Sequence, residues 1–188
     1  MSLLLHVFNT ATNQWEPATN DLINSVKAVG YQKRVSAEFT RPSNTTAYTA
    51  WSSQSNSTTS PSPLTFSGMA RANGGSGTIL TARHIKSSLT IARFRLYLYR
   101  ATIAGINDGA AYPTNYANRV NRLGHIDFTS HEAGGTGSDS TASLVRFVNL
   151  DFVCDAASTS IFGRLVNLDA YTPASGTQHT IELGVLQN

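Results

Sequence analysis

The chain reads as an all-β protein, a two-sheet jelly-roll or Greek-key sandwich with an amino-terminal arm and one short helix. Three observations predict this. From Lys33 onward apolar residues alternate with polar ones in short runs, as in Val35/Ala37/Phe39 and Ala92/Phe94/Leu96/Leu98. The runs number roughly eight to ten and are separated by Gly-, Pro- and Asn-rich turns. Several connections are long, which favours a Greek key over a simple meander.

Residues 1–30 differ in character and read as an arm or cap, with residues 31–188 forming the sandwich domain. Leu3 to Phe8 is a short apolar strand or arm. Asn20 to Ala28 is the best helix candidate: Thr19 or Asn20 can cap it, Leu22, Ile23 and Val26 share a face, and Gly30 stops it. A helix this short must dock on something. Val35–Phe39 is the first sandwich strand, and Ala47–Trp51 is a candidate second. Ser52–Pro63 lacks apolar residues and reads as an exposed Ser/Thr/Pro protrusion. Leu64–Met69, Thr78–Ser87 and Ile91–Arg100 follow as strands. In the last, Arg93, Arg95, Tyr97 and Tyr99 face away from the core. Ile103–Ala117 is a long connection, with a helical turn near Tyr116–Val120. Leu123–Phe128, Leu144–Cys154, Ile161–Leu168 and Thr180–Leu186 complete the set, with a glycine-rich loop at His131–Thr141.

Composition narrows the function. The 188 residues suffice for one core with an appendage. Mean hydropathy is −0.16, as in ordinary globular domains. Only 13% of residues are charged, and Ser and Thr fill the gap. Such surfaces suit β-proteins that pack into assemblies, where charge is costly to desolvate. The net charge of +3 comes mostly from Arg, with no concentrated basic run, so no direct nucleic-acid contact is expected. The single cysteine, Cys154, excludes an intrachain disulfide and reads as a small buried hydrophobe. No stretch approaches the ~18 apolar residues of a membrane span. The start MSLLLHVF lacks a basic signal region, so synthesis in a cytoplasm without Sec export is expected.

The chemistry-bearing residues are sparse. His125-x-Asp127 would place both side chains on one strand face, and His131-Glu132 follows. A two-His-one-carboxylate metal site would further need a distant His84 or His179. A solvated polar face is the plainer reading. The GGSG and GGTG stretches lack the Lys-Ser/Thr pair of a phosphate loop. No G-x-S-x-G elbow occurs, and carboxylates are few, four Glu and seven Asp. The expectation is no enzyme, no cofactor and no metal. The row Arg93, Arg95, Tyr97, Tyr99 has three readings: a stacking surface for single-stranded nucleic acid, a protein interface, or a solvent-facing cross-strand row. Trp51 is a core or interface residue, or a sugar platform. Candidate interface residues are Leu3, Leu4, Leu5, Phe8, Trp51, Arg93, Arg95, Tyr97 and Tyr99.

Two stretches are the most specific, Glu38–Trp51 (EFTRPSNTTAYTAW) and Tyr171–Gly176 (YTPASG). With PLTFSGMARANGGSG, FRLYLYR, YANRVNRLGHIDF and IELGV they resemble, in order, segments of the capsid decoration (cement) proteins of tailed bacteriophages. The resemblance spans roughly Lys33 to Val185. It departs after Ala50, where Trp51 and a Ser/Thr/Pro insertion stand in place of a Gly-Asp pair and a short apolar strand. The resemblance implies a homotrimer or homodimer on the capsid exterior that binds the major capsid protein by multivalent docking. The arm Met1–Phe8 would then dock on the capsid or swap between subunits. The alternative is a receptor- or carbohydrate-binding jelly roll of a tail fibre, with Trp51, Tyr112 and Tyr116 as sugar platforms.

Overall fold

Alternation decides which side of each strand turns inward. The computed structural model describes residues 6–9, 14–17 and 31–188. β3 (Tyr31–Thr40) buries Val35 and Ala37 between exposed neighbours, and β12 (Gln178–Gln187) buries every second residue along its whole length. They join β6 (Ser76–Lys86), β10 (Thr141–Val153) and β9 (Glu132–Ala133) in an antiparallel sheet of order β3-β12-β6-β10-β9. The facing sheet has the order β4-β11-β7-β8, from β4 (Ser53–Gln54), β11 (Ile161–Asn167), β7 (Phe94–Tyr99) and β8 (Arg122–Phe128). β5 (Leu64–Phe66) pairs with β11 beside β4, so β4 and β5 act as one interrupted strand.

The chain passes repeatedly from one sheet to the other, and the first and last sandwich strands, β3 and β12, lie side by side. This is the jelly-roll path. β1 (His6–Asn9) and β2 (Gln14–Pro17) pair with each other as a separate two-stranded sheet. The helix expected at Asn20–Ala28 and the residues Leu3, Leu4 and Leu5 lie outside the described residues.

The core fills the space between the sheets. Phe94, Leu96 and Leu98 of β7 meet Ile79 of β6 and Ile181, Leu183 and Val185 of β12. Each such side chain contributes roughly 1.5–3 kcal/mol by leaving water. Cys154 belongs to this core, and burial raises its thiol pKa.

Two local expectations need correction. Ala47–Trp51 is not a strand; it is tied down by the isolated bridge Tyr48–Tyr171 and by single hydrogen bonds to Asn167 of β11. The Ser52–Pro63 stretch is not wholly exposed, since Ser52, Ser53, Gln54 and Ser55 are buried and β4 lies within it. Their polar groups find partners inside, which removes the cost of burying them. β6 changes parity part-way along. Leu80 and Thr81 both turn outward, and Leu80 has no partner in either flanking ladder. This bulge brings Ala82, His84 and Lys86 to the inner face. Opposite it, Phe147 and Asn149 of β10 bulge with φ of 58° and 48°.

Candidate interaction surface

The two sequence stretches that stand out, around Arg41–Trp51 and Tyr171–Gly176, form one pinned corner. Tyr48 and Tyr171 exchange backbone hydrogen bonds of 2.9 and 3.2 Å. Arg41, 2% exposed, donates to the Tyr48 hydroxyl (2.5 Å), the Ala174 carbonyl (3.1 Å) and Asp108 (3.0 Å). The Tyr48 hydroxyl donates to the same Asp108 oxygen, and Asp108 also accepts from the Ser55 amide at 3.0 Å. Both members of the Arg41–Asp108 pair are sealed from water. Burial and the Asp108 hydrogen bond push the Tyr48 phenol pKa well up. A second chain of contacts runs from the Tyr171 hydroxyl to Gln54 (2.9 Å) and from Gln54 to Asn167 (3.0 Å). The Asn167 amide then donates to the Thr49 carbonyl at 2.7 Å.

This network ends at Trp51. The Trp51 amide donates to the Asn167 carbonyl (2.8 Å), and its carbonyl accepts from the Tyr112 amide (2.8 Å). Held at both ends, Trp51 sits in the left-handed region with φ 66°. That conformation is rare for a bulky residue and costs about 1–3 kcal/mol. Its ring is 45% exposed, with the Arg95 guanidinium 5.3 Å from the centroid. Arg95 is itself fixed by a bidentate pair to Asp127, at 2.6 and 2.8 Å. The hydrogen bond from Arg95 pulls the Asp127 pKa down. Arg93 grips Asp169 in the same way, with a shortest contact of 2.6 Å. Tyr116 and Val120, 75% and 67% exposed, lie in and just after the 3-10 turn Tyr116–Asn118, and Arg119 covers the Tyr116 ring.

The outward row of β7 therefore splits. Arg93 and Arg95 remain at the surface, Arg95 against Trp51. Tyr97 and Tyr99, expected as interface residues, are 7% and 1% exposed. The connection after β7 folds back over them and brings Ile103, Ile106 and Tyr112 onto the outer face as a second apolar cluster. Tyr112 stacks on Tyr97 at 4.6 Å and shares a 2.5 Å hydroxyl contact with Tyr99. Tyr112 is thus committed to packing and offers no sugar platform. The apolar residues of that connection were the signal that it packs. Phe8 lies in β1, and its side chain lies outside the described residues.

No protein-family model matches the chain, and no curated protein matches it.

The histidines have a different role from the metal set weighed above. His84 Nε2 lies 2.9 Å from His179 Nδ1, and His131 Nε2 lies 3.0 Å from His84 Nδ1. All three are buried, packed by Phe39, Phe94 and Phe128. The row is linear, so both His84 nitrogens are used and none is free to bind a metal. Three neutral imidazoles satisfy it with two N–H···N bonds. Its outer nitrogens, His131 Nδ1 and His179 Nε2, lack hydrogen-bond partners, as does Lys86 Nζ. Desolvation holds His84 and His179 well below the ordinary histidine pKa, and His131 at about 4. His125 sits on the outer face near Tyr97, and Asp127 is engaged by Arg95. Among the described residues no cluster of three His, Cys, Asp or Glu side chains could hold a metal ion. Nor is any helix among them long and apolar enough to cross a membrane.

Proposed function

We propose that this chain is a non-enzymatic structural subunit of a bacteriophage virion, a decoration protein that docks on the major capsid protein. The observation that carries the reading is Trp51: a half-exposed ring, locked into a strained backbone conformation and flanked by a fixed arginine. Trp, Tyr and Arg dominate protein-binding hot spots. A side chain already frozen in place loses little entropy on docking. The buried Arg41–Asp108–Tyr48 network supplies that rigidity from below. The sequence resemblance supplies the partner class, and the sparse surface charge suits packing against other subunits. Many copies docking at once turn modest single contacts into a clamp on the shell.

The test is co-sedimentation of the protein with shells assembled from the major capsid protein. Trp51→Ala should weaken binding roughly 30-fold or more, the loss typical of a hot-spot tryptophan. Wild-type occupancy by a folded Trp51→Ala protein would refute the docking surface. Saturable binding to host glycans, with no binding to shells, would favour the fibre-tip reading through Trp51 and Tyr116.

A further inference from the structure

We infer that a second copy of this chain pairs with it along β3, edge to edge and antiparallel, about a twofold axis at Ser36. The inference is independent of what the Trp51 face binds. β3 closes one side of its sheet, and among the described residues no strand pairs with its free side. It runs for 10 residues without proline, and its ladder to β12 has no bulge. The other edges are short or broken. β9 has 2 residues, β4 and β5 have 2 and 3, and β8 pairs with β7 around a bulge. Where β10 outruns β9, its own bulge interrupts it. A long, regular, open edge is a template for another strand, and folds that take no partner there blunt it.

Hydrogen-bond parity fixes which groups are free. The Arg41 amide donates to the Thr177 carbonyl (3.0 Å), one step beyond the Thr40–Gln178 pair of the β3–β12 ladder. Bonded pairs alternate along an antiparallel ladder, so the odd residues of β3 turn their N–H and C=O groups to β12. The even residues, Gln32, Arg34, Ser36, Glu38 and Thr40, turn theirs to the free side, and all are exposed. Charge then selects the occupant and the register. With Ser36 opposite its own counterpart, Arg34 of each copy faces Glu38 of the other, and Gln32 faces Thr40. Neither Arg34 nor Glu38 forms an ion pair with a described residue. A slide of two residues sets Arg34 against Ser36 or Thr40. A slide of four sets Arg34 against Arg34 or Glu38 against Glu38, and like charges directly opposite are destabilising. Lys33, the one charge on the inner side of β3, is engaged within its own chain by the Gly68 carbonyl at 3.2 Å. The same patch serves both copies, so the assembly closes at two.

The test is sedimentation equilibrium of the full chain at concentrations on the order of 100 μM, since a single strand pair lies at the low end of interface sizes. A dimer of the 20.2 kDa chain is expected. A monomer or a trimer would overturn the inference. Arg34→Glu alone, or Glu38→Arg alone, should weaken self-association about tenfold or more, because like charges then face each other at both pairs. An equimolar mixture of the two variants should dimerise again, because each supplies the charge that the other opposes. Self-association untouched by either change, or no recovery in the mixture, would overturn the pairing. The register has its own check. Ser36→Cys should form a disulfide-linked dimer under mild oxidation on the order of tenfold faster than Thr40→Cys, whose two copies stand too far apart in this register. The native Cys154, 1% exposed, lies in the core and does not compete. Equal rates for the two variants would also overturn the inference.

Discussion

Lowering the pH from 7.5 to 5 should remove much of the stability of this protein, because three buried histidines cannot be protonated in place. His84 and His179 are fully buried and His131 nearly so. Desolvation, reinforced by the neighbouring imidazoles, Lys86 and Arg41, depresses all three. An unfolded histidine titrates near 6.5. Below that pH the unfolded chain binds protons that the folded chain refuses. The contribution of the row is therefore complete above about pH 6.5 and is lost as pH falls toward 4. At pH 5 each neutral histidine costs about 2 kcal/mol relative to high pH, or about 6 kcal/mol for the three. That is comparable to the whole stability of many domains. Lys86, lowered to about 8 by burial, titrates above this window. Asp127 and Asp169 are held below the ordinary carboxylate range by Arg95 and Arg93, so they titrate beneath it. Urea unfolding followed by tryptophan fluorescence at pH 7.5, 6 and 5 measures the loss directly. His131→Gln should cut it by about a third, to about 4 kcal/mol. A wild-type stability that changes by less than about 1 kcal/mol across this range would refute the reasoning.

The other predictions concern the corner and the close approaches. Asp108→Ala leaves the Arg41 guanidinium buried and unpaired, and should cost about 3–5 kcal/mol in urea unfolding; a loss under about 1 kcal/mol would show the pair to be solvated. Trp51→Gly removes the left-handed strain together with the ring. It should leave the thermal midpoint within a few degrees of wild type, measured by calorimetry, while shell binding is lost. At Gly77 an added Cβ would lie 2.4 Å from the Leu186 carbonyl oxygen across the ladder. Gly77→Ala should therefore destabilise by more than about 1 kcal/mol, and a neutral result would mean that the strands separate freely.

The sandwich was legible because a period of two marks a half-buried strand wherever it occurs. Val35/Ala37 and Phe94/Leu96/Leu98 turn inward as their alternation requires. The histidine row was only half legible. His179 shares its parity with Ile181, Leu183 and Val185, so alternation alone places it inside. His84 follows that logic only once the Leu80–Thr81 bulge has shifted β6, and a bulge depends on cross-strand register that one strand does not encode. Tyr97 and Tyr99 were read as outward residues, and they do leave the main core. What covers them is the connection after β7, through Ile103, Ile106 and Tyr112. The Arg41–Asp108 pair joins residues far apart in the chain, so neither segment reveals the other. Trp51 stood out as an aromatic at the mouth of a Ser/Thr stretch. Its strained, clamped backbone follows from hydrogen bonds to Asn167 and Tyr112 that only the fold assembles.

The central claim is that the protein clothes a virion shell, and its copy number in purified virions tests this most directly. Quantitative mass spectrometry against the major capsid protein should find it in fixed stoichiometry, on the order of hundreds per particle, as multivalent decoration requires. A handful of copies would move it to the tail or fibre, and complete absence from the particle would contradict the account.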